Sequence, residues 1–134
     1  MLQPKKQKFR KPFNRIPKKS GFVDDPLHFG EFGLICLENG LLRARQIDAA
    51  RKVVVGFTKR KGKLWIRIFP DHGVTKKPSE VKMGKGKGDV EYFVAPIKRG
   101  KMIFEVGGIS EEIAKEALRR ASYKLPLKVK IVER

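Results

Sequence analysis

The chain has 134 residues, a length that fits one domain with one modest hydrophobic core. Its 32 Lys and Arg residues against 14 Asp and Glu residues give a net charge of +18, which adds nothing to fold stability and predicts a polyanionic partner. Nucleic acid is favoured over an anionic membrane, because the sequence has neither a long basic amphipathic helix nor an apolar run near the ~20 residues of a membrane span.

The first residues are basic but lack the apolar stretch of a secretory signal, which predicts a protein of the cytosol or of an organelle interior. The chain has one cysteine, so a disulfide within the chain is excluded. This residue, Cys36, stands in an apolar run, and we expect it to be buried in a strand.

Residues 1–21 are predicted to form a basic N-terminal arm ahead of a globular domain at residues 22–134. Eight cations and no acid occur between positions 5 and 19, and prolines interrupt the segment, which predicts an extended chain without a helix. The interleaved Phe9 and Phe13 favour docking on RNA over a purely solvating tail. The candidate RNA-binding residues of the arm are Lys5, Lys6, Lys8, Arg10, Lys11, Arg15, Lys18 and Lys19.

The first part of the globular domain is predicted to contain a strand, a turn and a helix. Residues 29–37 are rich in apolar and aromatic side chains and favour a strand, and Asn39 with Gly40 indicates a turn. Apolar residues recur at helical spacing from Ala44 to about Phe57, although Arg43 is not a usual capping residue. The opposite face of this helix carries the candidate RNA-binding residues Arg45 and Arg51, together with Lys52.

A basic turn at residues 59–63 follows, and residues 64–69 then alternate as a strand with large side chains on both faces. Residues 70–73 are expected to form another turn, and a second basic stretch comes next. The candidate RNA-binding residues of this region are Lys59, Arg60, Lys61, Lys63, Arg67, Lys76 and Lys77.

Glycine and lysine alternate in the most unusual segment of the chain. Glycine disfavours the interior of helices and strands, so a flexible cationic loop is predicted. A nucleotide-binding phosphate loop is disfavoured. In that motif the last glycine is followed by Lys, then by Ser or Thr, and a helix begins. Here Gly88 is followed by Asp89 and a strand pattern. The residues of this predicted Gly-Lys loop are Lys82, Met83, Gly84, Lys85, Gly86, Lys87 and Gly88.

The remaining pattern is two strands, a helix and a final strand. Residues 91–97 and 102–106 are predicted strands joined by a hairpin turn at residues 98–101. Ser110 is expected to cap a helix that buries Ile113, Ala114, Ala117, Leu118 and Ala121 and that Pro126 stops. Residues 127–132 alternate as the last strand. The order predicts a single α+β domain, with one compact sheet and two helices packed on it.

Enzymatic activity is not expected. The sequence has no nucleophile elbow, no His-Glu-x-x-His, no cysteine pair and no cluster of carboxylates, and the adjacent Glu111 and Glu112 are explained by the helix dipole. No zinc ligand set or other metal site is indicated, and no cofactor is expected. Paired aromatic residues of the RNP type are also missing, so binding of structured RNA by charge and shape is favoured.

Several blocks of sequence, in order along the chain, carry a more specific signal. They read MLQPKK at 1–6, FRK at 9–11, FGEFG at 29–33, ARQIDAAR at 44–51, GKLWIRIFPD at 62–71, MGKGKG at 83–88, VEY at 90–92 and KLP at 124–126. Together they resemble the bacterial-type family of large-subunit ribosomal protein sixteen from end to end.

The resemblance implies an α/β-hammerhead-like fold and a structural role in the large ribosomal subunit. It implies binding to 23S-type rRNA near the peptidyl transferase region and the central protuberance, contacts with neighbouring ribosomal proteins, and contacts with A-site tRNA and, as a further option, P-site tRNA. The Gly-Lys loop resembles the family segment that points toward the tRNA. A bacterial cytoplasmic ribosome is expected, and a mitochondrial or plastid ribosome is the alternative.

The sequence departs from the family pattern in three places. Lys82 stands where the family often has Arg, and Arg43 stands where it often has Thr or Ser. Residues 13–27 lack a Gly-Arg-rich stretch and carry Asp24 and Asp25 instead. Two other functions remain open: an extraribosomal RNA-binding or RNA-chaperone protein, and the disfavoured phosphate-handling enzyme.

Overall fold

The computed structural model describes residues 26–75 and 90–134, which contain two helices and seven strands and confirm the predicted α+β class. The elements in chain order are β1 (Phe32–Cys36), β2 (Gly40–Arg43), α1 (Ala44–Phe57), β3 (Lys63–Ile66), β4 (His72–Thr75), β5 (Val90–Ile97), β6 (Met102–Gly107), α2 (Glu111–Ser122) and β7 (Val129–Glu133). The predicted N-terminal arm, Lys76, Lys77, the Gly-Lys loop and Asp24 with Asp25 lie outside the described residues.

The strands form two antiparallel sheets, so the prediction of one compact sheet was wrong. The four-stranded sheet has the order β3-β6-β1-β7, and the three-stranded sheet has the order β2-β5-β4. In the first sheet Phe32 of β1 faces Val106 of β6 on one side and Glu133 of β7 on the other. In the second, Val94 of β5 lies between Arg43 of β2 and His72 of β4.

The turn at residues 98–101 carries the chain from β5 of the three-stranded sheet to β6 of the four-stranded sheet. The chain does reverse there, with Gly100 at φ +91° and Lys101 N–H bonded to Lys98 O at 3.0 Å. However, Cys36 exchanges backbone bonds with the turn, donating to Lys101 O at 3.0 Å and accepting from Gly100 N–H at 2.6 Å. These bonds start β6 beside β1, so β5 and β6 do not form the predicted hairpin.

Helix α1 has the predicted bounds, Ala44–Phe57, and buries Ile47, Ala50 and Val54. Arg43 precedes it in an extended conformation, and the Gln46 side chain accepts the Arg43 N–H at 2.9 Å. The helix thus satisfies one free N–H without Ser or Thr at the cap. The Arg43 guanidinium lies 4.0 Å from the centroid of the Tyr92 ring in β5.

Helix α2 differs from the prediction at three points. Ser110 stands at its N-cap, but the hydroxyl makes no capping hydrogen bond. Ile113 is 41% exposed instead of buried, whereas Ala114, Ala117, Leu118 and Ala121 are buried as predicted. The helix ends at Ser122, ahead of Pro126, through backbone bonds from Tyr123 and Lys124 to Arg120 and Ala121.

The strand predictions were correct in position for β1, β5, β6 and β7, but two strands were missed. Residues 72 and 73, predicted as a turn, belong to β4, and Gly40, predicted in a turn, begins β2. The strand predicted over residues 64–69 ends at Ile66. Cys36 is fully buried in β1, as predicted.

The helices join the two sheets. They pack on each other, and α2 also contacts β1 and β7 of the four-stranded sheet, whereas α1 contacts β2 and β5 of the three-stranded sheet. The core between these layers includes the fully buried Leu34, Leu42, Ile47, Phe104 and Leu118. This packing leaves the polar face of α1 and the turn that follows it at the surface.

Candidate nucleic-acid interface

A row of cations lies along the exposed side of α1. From Arg45 to Lys63 the sequence has seven cations and a single carboxylate, Asp48. Arg45 and Lys52 are seven residues apart, so they lie on one face of the helix about 10 Å from each other along its axis. Both are exposed, and Arg51 is half-buried beside them. The helix therefore presents positive charge on the side that faces away from the core.

Asp48 organises part of this row. Its carboxylate accepts from the Arg51 guanidinium at 3.1 Å and lies 3.3 Å from the Lys52 ammonium. Desolvation alone would raise the pKa of the Asp48 carboxyl, but the bonds from Arg51 and Lys52 outweigh it and the pKa is lowered. The Lys52 side chain stays 68% exposed, so the pair orients these cations without removing them from the surface.

The turn after α1 carries the next cations in an uncommon backbone conformation. Lys59 and Arg60 have φ values of +53° and +62°. For residues other than glycine this left-handed region costs about 1–2 kcal/mol each. Arg60 N–H bonds to Val55 O at 3.1 Å, and Lys59 N–H bonds to Gly56 O at 3.3 Å, which closes the end of the helix. Both side chains are exposed.

A shallow open depression lies between the last turns of α1 and this turn. Four cations, Val55 and Gly56 line it, and the cations are Arg51, Lys52, Lys59 and Arg60. No carboxylate is among the lining residues. A Cβ atom added at Gly56 would meet nothing within 4 Å, so the floor of the depression is open.

Arg67 has a different environment from the other candidate cations. Its guanidinium donates to Oε2 of Glu105, which is fully buried, and to Pro26 O at 3.3 Å. The Arg67 side chain is 15% exposed. Its charge is thus already paired inside the fold, which sets it apart from the cations of the α1 surface.

The other carboxylate oxygen of Glu105 accepts three consecutive backbone N–H groups. His28 and Phe29 donate at 2.9 Å and Gly30 at 3.1 Å. Gly30 also passes so close to β6 that an added Cβ would lie 2.4 Å from Val106 O. Burial alone would raise the pKa of Glu105, but these bonds and the one from Arg67 lower it overall. The segment that leads into β1 is therefore fixed on the four-stranded sheet.

An aromatic group lies next to this attachment. The rings of Phe29 and Trp65 stack with centroids 5.8 Å apart, and the Arg67 guanidinium is 5.8 Å from the Phe29 centroid. Phe29 remains 57% exposed and Phe69 46% exposed. Exposed rings beside cations suit contacts with RNA bases.

The structure brings together only some of the candidate residues. Arg51, Lys59 and Arg60 meet at the depression, with Lys61 and Lys63 exposed just beyond it. Arg45 lies at the other end of α1, about 17 Å from Gly56 along the helix axis. The cations of α2 differ, because Lys115 and Arg119 pair with Glu111 and Glu116 at 2.6 and 2.5 Å.

Three residues of this region were absent from the set of candidate rRNA-binding residues. Lys52 shares a helical face with Arg45, a signal that was available in the sequence. Gly56 was also detectable, because a glycine inside a helical pattern is unfavourable and often has a functional reason. The role of Glu105 had no sequence signal, since its partners are more than thirty residues away along the chain.

Metal-ligand clusters and membrane-spanning helices are missing from the described part of the chain. Residues 26–75 and 90–134 hold no group of three or more His, Cys, Asp or Glu side chains placed to share a metal ion. Neither α1 nor α2, the helices of that same part, has the length and apolar composition that crossing a membrane requires.

Comparison with known proteins assigns the chain to a family. A family model described as ribosomal protein L16p/L10e matches residues 4–132. A protein of Allorhizobium ampelinum named large ribosomal subunit protein uL16 is 53% identical over 137 positions, which cover 100% of this chain and 98% of the relative. Proteins of the same name from Rhizobium etli and Thioalkalivibrio sulfidiphilus are 52% and 51% identical with the same coverage. The chain therefore belongs to the ribosomal protein L16p/L10e family.

Proposed function

We propose that this chain is a non-enzymatic structural constituent of the large ribosomal subunit that binds 23S-type rRNA. The observation that carries the proposal is the family match at residues 4–132, with relatives named for the large subunit that align from end to end. The cationic side of α1 supports it, because a polyanion would neutralise charges such as those of Lys59 and Arg60, which the described carboxylates leave unpaired. The bacterial relatives favour the ribosome of a bacterial cytoplasm over that of an organelle.

The finer contacts are proposed from the family resemblance. We place the protein near the peptidyl transferase region and the central protuberance, beside neighbouring ribosomal proteins. Residues 82–88 would contact A-site tRNA, with P-site tRNA as a second contact, and residues 1–21 would act as a separate rRNA-binding arm. Two antiparallel sheets joined by two helices are consistent with the α/β-hammerhead arrangement.

Sedimentation tests the proposal directly. Large subunits of Rhizobium etli are stripped of their own copy of this protein with concentrated salt, incubated with the purified chain, and centrifuged at an intermediate salt concentration, below the one that strips the native copy. We expect the chain to sediment with the subunits in a one-to-one ratio. Recovery only in the supernatant at the intermediate salt concentration, with RNA binding at low salt, would instead favour an extraribosomal RNA-binding protein. A nucleotide-hydrolysis assay on the same preparation tests the enzyme alternative.

A pair of double variants tests whether α1 is the rRNA-binding side. Lys59→Ala with Arg60→Ala removes two cations that have no carboxylate partner in the described part of the chain. Lys115→Ala with Arg119→Ala removes the same charge from α2, where both side chains are paired. We expect the first double variant to rebind more weakly and the second to resemble the wild type. Equal loss in both would mean that binding depends on net charge alone.

A further inference from the structure

We propose that the depression at the end of α1 is a seat for one phosphodiester group of the rRNA backbone, with Gly56 as its floor. This inference rests on the proposed function and adds a defined contact to it. The phosphate would lie against the helix backbone at Gly56, between Arg51 and Lys52 on one side and Lys59 and Arg60 on the other.

Gly56 has no structural reason to be glycine within the described fold. Glycine is the poorest helix former after proline, so its presence inside α1 disfavours the helix. Its conformation is helical, and a Cβ atom there would meet no atom of the described residues within 4 Å. Neither backbone geometry nor packing in this part of the chain therefore requires glycine. Close approach of an external group to the helix backbone does require it.

Positive charges converge on this floor. Four of the six lining residues are cations and none is an acid. Asp48, the acid nearest in sequence, holds Arg51 and Lys52 from the adjacent turn of the helix, which orients them at the rim. A guanidinium beside mobile ammonium groups suits a phosphate, which accepts bonds from several directions.

The strained turn after α1 keeps two of these cations in place. Lys59 and Arg60 adopt left-handed φ values that glycine or asparagine would adopt at lower cost. Two cations in succession at such positions indicate that their side chains matter more than the relief of strain. The conformation turns the chain back at the end of α1 and keeps both residues at the rim of the depression.

The end of a helix normally repels an anion, because its last carbonyl groups carry partial negative charge. Here three of the last four carbonyls of α1 accept hydrogen bonds. Val54 O accepts both the N–H and the hydroxyl of Thr58, at 3.0 and 2.9 Å, and Arg60 and Lys59 donate to Val55 O and Gly56 O. The four surrounding cations therefore dominate the field in the depression.

An open depression suits a polymer better than a free nucleotide, which a site would have to enclose on more sides. Arg45 and Lys52 continue the positive row along α1, so a strand of RNA seated at Gly56 would meet further cations along its backbone. An acidic protein neighbour is the competing occupant, and the test separates it from RNA.

The test adds a side chain to the floor. Gly56→Gln fills the depression without changing charge, and Gln favours a helix more than Gly does, so the thermal midpoint of the free protein should stay the same or rise. Affinity for protein-free 23S rRNA of Rhizobium etli should fall about tenfold, equivalent to ~1.4 kcal/mol. The log–log salt slope should fall by roughly 0.7–0.9, as expected when one phosphate is no longer neutralised.

Two further variants make the result specific. Ala49→Gln adds the same side chain to the same face of α1, two turns earlier and outside the depression, and should weaken binding much less than Gly56→Gln does. Gly56→Ala is a smaller change for use if Gly56→Gln lowers the midpoint, and it should raise the midpoint while weakening binding less.

The proposal is overturned if the Gly56 variants bind rRNA as the wild type does, or if Ala49→Gln weakens binding equally. It is also overturned if the loss appears only with protein-containing subunits, which would identify an acidic protein as the occupant. Failure of the wild-type chain to bind rRNA at all would refute the proposed function, a result distinct from these.

Discussion

The guanidinium of Arg67 donates a hydrogen bond to Glu105, a carboxylate with no exposed surface, and this pair fixes how the chain enters the globular domain. One carboxylate oxygen of Glu105 forms an ion pair with Arg67, and the other accepts hydrogen bonds from the N–H groups of residues 28–30. The pair therefore connects β6, the residue after β3 and the segment before β1 at one point. Arg134 adds a bond to Leu27 O at 3.1 Å.

Replacing Glu105 tests this arrangement. Glu105→Gln keeps the shape of the side chain but removes the charge, so Arg67 loses its counter-ion in a poorly solvated place. We expect the free energy of unfolding to fall by about 3 kcal/mol, typical of a broken buried ion pair. Urea denaturation measures it. Glu112→Gln, an exposed change in the first turn of α2, should cost less than about 1 kcal/mol. Similar costs for both variants would contradict a structural role for Glu105.

The same carboxyl group predicts a dependence of stability on pH. Its pKa in the folded chain lies below the ordinary value of 4.5, because hydrogen bonds to the charged form outweigh the effect of burial. The unfolded chain therefore binds a proton at higher pH than the folded chain does. The stabilisation is fully present above about pH 5 and is lost as pH falls through the folded-state pKa. The difference in unfolding free energy between wild type and Glu105→Gln should shrink accordingly in urea titrations at decreasing pH. A constant difference would argue against this linkage.

The backbone strain in the turn after α1 predicts that relieving it will stabilise the folded protein but weaken its binding to rRNA. Arg60→Gly should relieve about 1–2 kcal/mol of strain and lose about 0.4–1 kcal/mol to unfolded-state entropy, for a net gain near 0.5–1 kcal/mol. The same variant should bind rRNA more weakly. Lys61→Gly is the matched control, because Lys61 lacks the positive φ and should only be destabilised. Thermal unfolding and rRNA titration measure both effects. A loss of stability in Arg60→Gly would show that the side chain packs favourably after all.

The Gly-Lys loop predicts a functional defect without a folding defect. Lys82, Lys85 and Lys87 stand among glycines that have little apolar surface to bury, so their replacement by Ala should change stability by less than about 0.5 kcal/mol. Assembly into subunits should largely survive, since the other basic surfaces remain. Affinity of the assembled ribosome for A-site tRNA should fall, as filter binding can measure. A destabilised free protein with unaltered tRNA binding would be the opposite of this expectation.

The proposed arm is tested by deleting residues 1–21. The globular domain should keep its thermal midpoint, because the described core cluster begins at Phe32. Removal of the eight cations between positions 5 and 19 should weaken rRNA binding. It should also lower the log–log salt slope by about 0.7–0.9 for each phosphate that the arm neutralises. A large fall in the midpoint would mean that the boundary at residues 21 and 22 is misplaced.

The sequence by itself predicted both helices, the positions of four of the seven described strands and the class of partner. The apolar spacing from Ala44 to Phe57 predicted α1 at its observed bounds. A helix that buries one face needs apolar residues at helical spacing, and this spacing is visible in the local sequence. The charge of +18 predicted a polyanionic partner for a similar reason, since net charge needs no knowledge of the fold. The ordered blocks of similarity likewise identified the family before any coordinate was known.

Only the tertiary structure decided which strands pair and which cations are free. The turn at residues 98–101 has residues typical of a hairpin turn. Its Gly100 and Lys101 nevertheless form backbone hydrogen bonds with Cys36, and β6 joins the other sheet. Arg67 and Arg60 cannot be told apart in the sequence. In the structure Arg67 is paired with a buried carboxylate, whereas Arg60 lies at an open depression. Hydrogen-bond partners and burial depend on residues far apart in the chain, whereas periodicity and composition report only on neighbours and totals.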